Sequence, residues 1–318
     1  MVGPMVGPRV WGRTVLLLLR SSRGMAASAG GMGGTFCASS DGPLSYTLRT
    51  KTSLSPDSWL LRFSLPDGRH RLGEDAEIPT CIKVVHPNGT TPSGEATLLE
   101  KSYSPVSHPA SEGVVELLVK EYAPRPGGGV GAYICGLKTG ESMRATLKSP
   151  RMMHGSAGVL GRWEELGLVG GGTGIAPMIQ VARIALADPL ARTRVHILSI
   201  QRHEEDLLMR NEIDQLEKEH PDRLRVSYAL SSPPTGGSWS GHTGRASLAM
   251  ARAALPPPTR DGKTMVLVCG TDGFVDTWAG PVGRGPRLAD GSKGPKVQGE
   301  LLGVLAEAGY DASEVFKY

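Results

Sequence analysis

Residues 168–177 read LVGGGTGIAP, four glycines and a threonine between two apolar runs. The spacing predicts a strand that turns sharply into a helix. At such a corner the first helical amides lack intrahelical partners and carry the positive end of the helix dipole. Bare glycine lets an anion or a flat ring approach those amides closely, which suits a pyrophosphate. Thr173 adds a hydroxyl donor, and Pro177 falls in the first helical turn, where a missing N–H is tolerated. The pattern is neither G-x-G-x-x-G nor a phosphate loop, since no lysine follows the last glycine, and a plain tight turn uses the same residues. A second corner, VLVCGTDG at 266–273, ends another apolar strand and would bring Cys269 and Gly270 to the same sheet edge. No base is visible beside Cys269, so a buried strand-end thiol fits it better than a nucleophile. A third stretch, KSYSPVS at 101–107, sets Tyr103 and Ser104 between strands. A ring could stack on Tyr103 and the hydroxyl could reach a ring nitrogen; an ordinary edge strand with a turn at the proline reads the same way.

The elements that must position these residues fall into two kinds. From Tyr46 to about Thr146 the pattern is β-like, with strands at 58–66, 112–122 and 141–150 separated by Gly/Pro/Asn turns. Short strands without a helical period imply a small barrel or sandwich. Beyond Leu160 strands and helices alternate: strand 166–169, helix 175–187, strand 195–200, helix 204–220, strand 224–230, helix 246–255, strand 264–269 and helix 300–308. On the second helix Met209, Ile213 and Leu216 form one stripe, and Pro221 stops it. That alternation predicts a parallel sheet covered on both faces. Residues 279–298 read as a loop, with Arg284, Arg287, Lys293 and Lys296 against the single acid Asp290.

The 318 residues suffice for two domains with real cores, and 39% hydrophobic with 21% charged residues describes a globular chain. A net charge of +4 and 5% aromatic residues argue against a nucleic-acid partner. Four scattered cysteines, Cys37, Cys81, Cys135 and Cys269, form no C-x-x-C pair, so neither a zinc site nor a disulfide framework is expected. Residues 1–40 hold Arg9, Arg13, Arg20 and Arg23 and no acid, the composition of a mitochondrial presequence; a disordered leader of no consequence is the alternative. Their apolar run, Val15 to Leu19, falls far short of the roughly 20 residues of a membrane span.

Taken in order, KSYSPVS, ELLVKEY, LVGGGTGIAPMIQ, LLMRNEIDQLEKEHPDRLRVSYAL, LPPP…VLVCG and the terminal VFKY resemble the NADH–cytochrome b5 reductase family, within the wider ferredoxin–NADP reductase superfamily. The resemblance spans about residues 44 to 318 and is nearest to the family's mitochondrial branch. It implies a two-domain protein: an antiparallel six-stranded FAD-binding β barrel over 43–155, then an α/β parallel-sheet domain binding the nicotinamide nucleotide over 160–318, behind a leader over 1–42. Tyr103 matches the tyrosine beside the isoalloxazine and Ser104 the hydroxyl near flavin N5. Lys120 and Tyr122 match the next flavin-binding strand. Gly171, Gly172, Thr173, Gly174 and Pro177 match the nucleotide corner, and Cys269 with Gly270 the C-G over the nicotinamide. Ser104 and Cys269 are thus the residues expected at the reacting atoms. The implied reaction carries a hydride from NADH to FAD and then single electrons to cytochrome b5 or a similar heme protein. The implied setting is a monomer at the mitochondrial outer membrane or intermembrane space, held peripherally through the leader.

Four positions depart from the family pattern. Lys101 replaces an arginine, keeping the charge but losing the two-point grip on phosphate. Gly131 replaces a serine by the pyrophosphate, leaving the backbone amides of 128–131 and keeping both FAD and FMN open. The family's C-G-P-P-P-M becomes CGTDGF, followed by the basic stretch 279–298, which is either a solvated loop or a landing site for an acidic electron acceptor. Ser231 stands where NADH-preferring members carry an aspartate for the ribose 2′-OH, and Arg202 and His203 follow the preceding strand, so NADPH is open as donor. The terminal aromatic is Tyr318 instead of phenylalanine. The alternatives to a heme-protein reductase are a reductase of a quinone or iron–sulfur protein, and a flavin-free binding protein on the same fold.

Overall fold

The structure is a computed structural model describing residues 42–73, 75–91, 93–122, 129–148, 159, 162–237, 239–287, 294 and 296–318. The leader expected over 1–42 lies, but for its last residue, outside the described residues, as do Lys293 and Asp290 of the basic stretch. The described residues all belong to one compact unit, Cys37–Tyr318.

The first half is antiparallel: β1 (Leu44–Ser55), β2 (Ser58–Ser64), β3 (Ile82–Thr90), β4 (Ala96–Tyr103), β5 (Val114–Lys120), a short helix α1 (Val130–Gly136) and β6 (Ser142–Leu147). The sheet runs β4-β3-β6-β1-β2-β5, a curled half-barrel whose open seam lies between β4 and β5. The apolar run of β5 has a period of two shared between two cores. Val115, Leu117 and Val119 point into the barrel, while Leu118 joins the cluster built on the second half of the chain. A strand buried on both faces reads as continuous apolar sequence.

The second half is parallel: β7 (Glu165–Gly171), α2 (Ile175–Ala187), β8 (Arg194–Gln201), α3 (Arg210–Glu219), β9 (Leu224–Leu230), β10 (His242–Thr243), α4 (Leu248–Ala254), β11 (Thr264–Cys269), α5 (Asp272–Ala279), the two-residue strands β12 (Gly283–Arg284) and β13 (Lys296–Val297), α6 (Gly303–Glu307) and β14 (Val315–Lys317). The sheet order is β10-β9-β8-β7-β11-β14. The same two-fold split recurs here. Leu166, Leu168, Val195, Ile197, Met265 and Leu267 face α2, and Val169, Leu198, Ile200, Val266 and Val268 face α4, α5 and α6.

Several expectations are corrected. The helix expected over 204–220 begins only at Arg210; Glu204–Asp206 is one 3-10 turn and Met209 sits at φ 59°, a left-handed break before the helix. The break turns Leu207, Leu208 and Met209 inward, each under 8% exposed. Helix α5 falls where only a glycine corner and a loop were expected. Its signals are Thr271, whose side chain caps Phe274 N–H, Asp272 in the first turn, and Gly280 at its end. The loop expected from 279 on also contains the paired strands β12 and β13. Helix α1 interrupts the all-β half, and the C-terminal helix is shorter than expected, starting at Gly303. Tyr103 is the last residue of β4, not a residue between strands.

Helix α2 wedges between the two halves, and its buried polar groups tie them together. Thr80 N–H donates to Gln180 Oε1 at 2.9 Å, and Gln180 Nε2 donates to Thr80 Oγ1 at 3.0 Å and to the Ser107 carbonyl at 2.9 Å. Arg183 donates to the Val106 carbonyl at 2.6 Å. The C-terminal strand ties down the basic stretch. Lys317 is 4% exposed, and its ammonium donates to the carbonyls of Pro281 (3.0 Å) and Glu300 (2.6 Å).

Gln180→Leu leaves the Thr80 amide and the Ser107 carbonyl buried without partners. Urea unfolding should show a loss of about 1–3 kcal/mol. The neighbouring His108 gives a pH signature. Burial first, then the charges of Arg183 and Arg71, push its imidazole down to about 4. A depressed histidine contributes stability above its unfolded pKa, lost as pH falls toward the folded one. Unfolding free energy should therefore drop between about pH 6.5 and about pH 4, by at most about 1.4 kcal/mol per unit. His108→Asn should flatten that part of the profile in pH-dependent urea melts.

Candidate functional site

The order of the parallel sheet puts its switch point between β7 and β11, where the chain leaves in opposite directions. Open parallel sheets bind ligands outside the carboxyl ends of such strands. There the two glycine corners meet, because Cys269 pairs with Gly170 in register.

Close packing demands most of these glycines. A Cβ on Gly174 would lie 2.2 Å from the Cys269 carbonyl oxygen, and one on Gly170 would lie 2.7 Å from Ile175 Cα. Side chains on Gly171 and Gly270 would strike the Phe274 ring at 2.6 and 2.5 Å. Gly172 differs: its φ is +57° and it faces open space. A 3-10 turn, Gly172–Gly174, then leads into α2, whose amino end no side chain caps. Packing and bare backbone amides are thus both present, and Gln201 steadies the turn by donating to the Gly172 carbonyl at 3.1 Å.

These corners form one wall of a cleft of about 820 Å³, and the open seam of the half-barrel forms the other. From the barrel come Lys101, Tyr103, Ser104, Lys120 and Tyr122. From the parallel sheet come Gly171, Gly172, Thr173, Gly174, Pro177, Ser231, Cys269 and Gly270. Gly131 is the exception. It lies behind Tyr103, where a Cβ would be 3.1 Å from the Lys120 carbonyl and 3.6 Å from the Tyr103 hydroxyl, so a serine would crowd this site. His203 is also turned aside, its Nδ1 3.1 Å from the Ser232 carbonyl oxygen. Residues not expected from sequence join the cleft: Gln201, Asp206, Arg245, Thr271, Phe274 and Thr277. Phe274 and Thr277 ride on α5, and Arg245 follows β10, a strand too short for any periodicity to reveal.

The barrel wall is basic. Lys101 Nζ lies 5.4 Å from the Tyr103 ring centre and 5.5 Å from that of Tyr122. Lys120 pairs with Asp57 at 2.7 Å. Burial works to raise the Asp57 carboxyl, but hydrogen bonds with Lys120, Ser58 and Ser55 outweigh it and hold the group below its usual range. The Tyr103 hydroxyl is buried and has no hydrogen-bond partner among the described residues. Burial raises that phenol far above its ordinary value, followed by the effects of Cys135 and Tyr122. The Tyr103 ring on the cleft wall fits a flat ligand lying along β4 and β5, and the uncapped amino end of α2 fits the phosphates of a second. Among the described residues no group of three or more His, Cys, Asp or Glu could hold a metal ion.

Matches to two family models, on this fold and cleft, make the chain an oxidoreductase that binds FAD and a nicotinamide dinucleotide on a ferredoxin reductase-type scaffold. Residues 45–154 match the family described as oxidoreductase FAD-binding domain, and residues 168–279 the oxidoreductase NAD-binding domain. The chain is 31% identical over 274 residues to an NADH-cytochrome b5 reductase 2 of Mycosarcoma maydis, covering 86% of this chain and 71% of that one. An NADH-cytochrome b5 reductase-like protein of Arabidopsis thaliana is 29% identical over 282 residues, 84% of this chain and 79% of its own. The chain belongs to the NADH–cytochrome b5 reductase family. In fold it resembles the cytochrome b5 reductase domain of Ulva prolifera nitrate reductase, at a TM-score of 0.66 and 21% identity over 87% of this chain and 97% of that one.

Gly172→Ala and Gly174→Ala separate the two uses of glycine. The first meets only the left-handed penalty and should cost about 1–2 kcal/mol. The second forces backbone apart at the switch point and should cost about 3 kcal/mol or more, or prevent folding, in chemical denaturation.

Proposed function

We propose that this protein takes a hydride from NADH, or from NADPH, onto FAD and passes the electrons singly to cytochrome b5 or a similar heme protein. The observation that carries the reading is the single cleft: it joins Tyr103 and Ser104 of the barrel seam to the glycine corner and Cys269 of the parallel sheet. Bound FAD would supply the chemistry, accepting a hydride and releasing electrons one at a time. The chain's own residues have to align the two ligands. Tyr103 would flank the flavin ring and Ser104 donate toward its reacting edge. Lys101 and Lys120 would bring positive charge to its phosphates, with Tyr122 alongside and Gly131 behind, leaving room for Tyr103. Gly171, Gly172, Thr173, Gly174 and Pro177 would seat the second pyrophosphate. Cys269 and Gly270 would floor the nicotinamide, and Ser231 would face the far ribose.

Arg284 and Lys296, exposed on the paired strands beyond α5, are suited to an acidic redox partner. The acid-free, Arg-bearing residues 1–40 support a mitochondrial place, at the outer membrane or in the intermembrane space, with peripheral attachment through that leader. Among the described residues no helix is long and apolar enough to cross a membrane. The protein would act as a monomer.

The test is the visible spectrum of the purified protein under anaerobic conditions. A flavin band that NADH or NADPH bleaches, followed by one-electron reduction of added cytochrome b5, is the expected result. Bleaching without cytochrome reduction would move the acceptor to a quinone or iron–sulfur protein. A protein that takes up neither FAD nor FMN would overturn the reading.

A further inference from the structure

The far end of the cleft lies beyond the glycine corner, where three adjacent strands end at one level. Gln201 of β8 pairs with Leu230 of β9, and Leu230 pairs with Thr243 of β10. The chain then delivers Arg202 one residue after β8, Ser231 one residue after β9, and Arg245 two residues after β10. All three line the cleft, and both arginines are exposed. Their backbones are pinned: Ser231 N–H donates to the Gln201 carbonyl at 2.9 Å, Ser232 N–H to the Arg202 carbonyl at 2.9 Å, and Gly244 N–H to the Leu230 carbonyl at 2.9 Å. Trp278 Nε1 holds the Arg245 carbonyl at 3.1 Å.

The charge balance at this edge is positive. Asp206 is the one carboxylate among the described lining residues. Neither guanidinium forms an ion pair with it or with another described carboxylate, whereas the nearby Glu204 is held by Arg210 at 3.0 Å. The cleft runs on from the glycine corner to this edge, so a dinucleotide with its phosphates on that corner would bring its adenosine here. A carboxylate after β9 would accept a ribose 2′-OH and repel a 2′-phosphate. Ser231 removes that repulsion and can donate to a phosphate oxygen, and two guanidinium forks match phosphate geometry.

We infer that Arg202, Ser231 and Arg245 form a binding site for the 2′-phosphate of the dinucleotide, so that this chain prefers NADPH to NADH. The inference rests on the reductase reading above, because it takes the glycine corner as the seat of the dinucleotide pyrophosphate. Asp206 is the competing feature: if it accepts the ribose 2′-OH, the preference reverses.

Calorimetric titration of the full chain with adenosine 2′,5′-bisphosphate, and separately with adenosine 5′-monophosphate, reads the site without any redox turnover. The bisphosphate should bind about tenfold or more tightly. Arg202→Ala and Arg245→Ala should each remove about tenfold of that advantage while leaving the monophosphate within about twofold. Ser231→Asp should abolish the preference through charge repulsion, with the fold intact by circular dichroism. Equal binding of the two nucleotides, tighter binding of the monophosphate, or arginine variants that weaken both alike would overturn the inference. If NADH bleaches the flavin while the bisphosphate shows no advantage, the inference falls and the reductase reading stands. If neither NADH nor NADPH bleaches it, the reading falls and takes the inference with it.

Discussion

Two strand ends separated by almost a hundred residues of chain must lie against each other before anything else here can work. Cys269 sits beside Gly170, and the turn above them brings Gly174 so close that its missing Cβ would overlap the Cys269 carbonyl. That contact sets the rise of the 3-10 turn and the direction in which α2 leaves the sheet. The direction of α2 in turn decides where its uncapped amino end points, and so where phosphate is welcome. The glycine run is therefore first a packing device. The ligand uses the bare backbone that packing has already required.

The same helix fixes the other wall of the cleft. α2 is buried in one core that also takes in Val106 and Leu118 of the first half, and its Gln180 and Arg183 reach the carbonyls of Ser107 and Val106, just beyond Tyr103 and Ser104 in sequence. A buried amide with three good hydrogen bonds has one satisfactory geometry. The segment carrying the barrel's aromatic and hydroxyl residues is thus held at a set height against the parallel sheet. Reach across the cleft is determined by polar groups that never touch a ligand.

What the sequence made legible follows from period and punctuation. β9, β11 and α2 were expected within their observed limits, because each is a run bounded by a clear break, such as Pro221 before β9 and the glycines before α2. The half-barrel and the parallel sheet are both readable, as are the two glycine corners and the Tyr103–Ser104 segment of the cleft wall, but the residues that α5 and β10 bring to it are not. The failures have local causes. The helix expected over 204–220 is too long because Met209 falls on one helical stripe with Ile213 and Leu216, while a left-handed backbone at Met209 carries no mark in the side chain. α5 was hidden by its two flanking glycines and by a cap, Thr271, that reads equally well as a turn. Arg245 was invisible because two residues of strand have no period. Gly131, placed by resemblance beside the pyrophosphate, lies outside the cleft lining next to the Lys120 carbonyl and the Tyr103 hydroxyl, a neighbourhood that only the tertiary fold creates.

Lys317, next to last in the chain, bonds the carbonyls of Pro281 and Glu300 together. Its ammonium thus closes the base of the segment between them as a clasp closes a necklace, and Gln298 doubles the fastening through the Lys317 backbone. Arg284 and Lys296, exposed on the paired strands inside that clasp, can therefore trade charge without disturbing β11 or the cleft beside it. The surface beyond α5 is in this sense interchangeable, free to be refitted to different partners while the interior stays as it is.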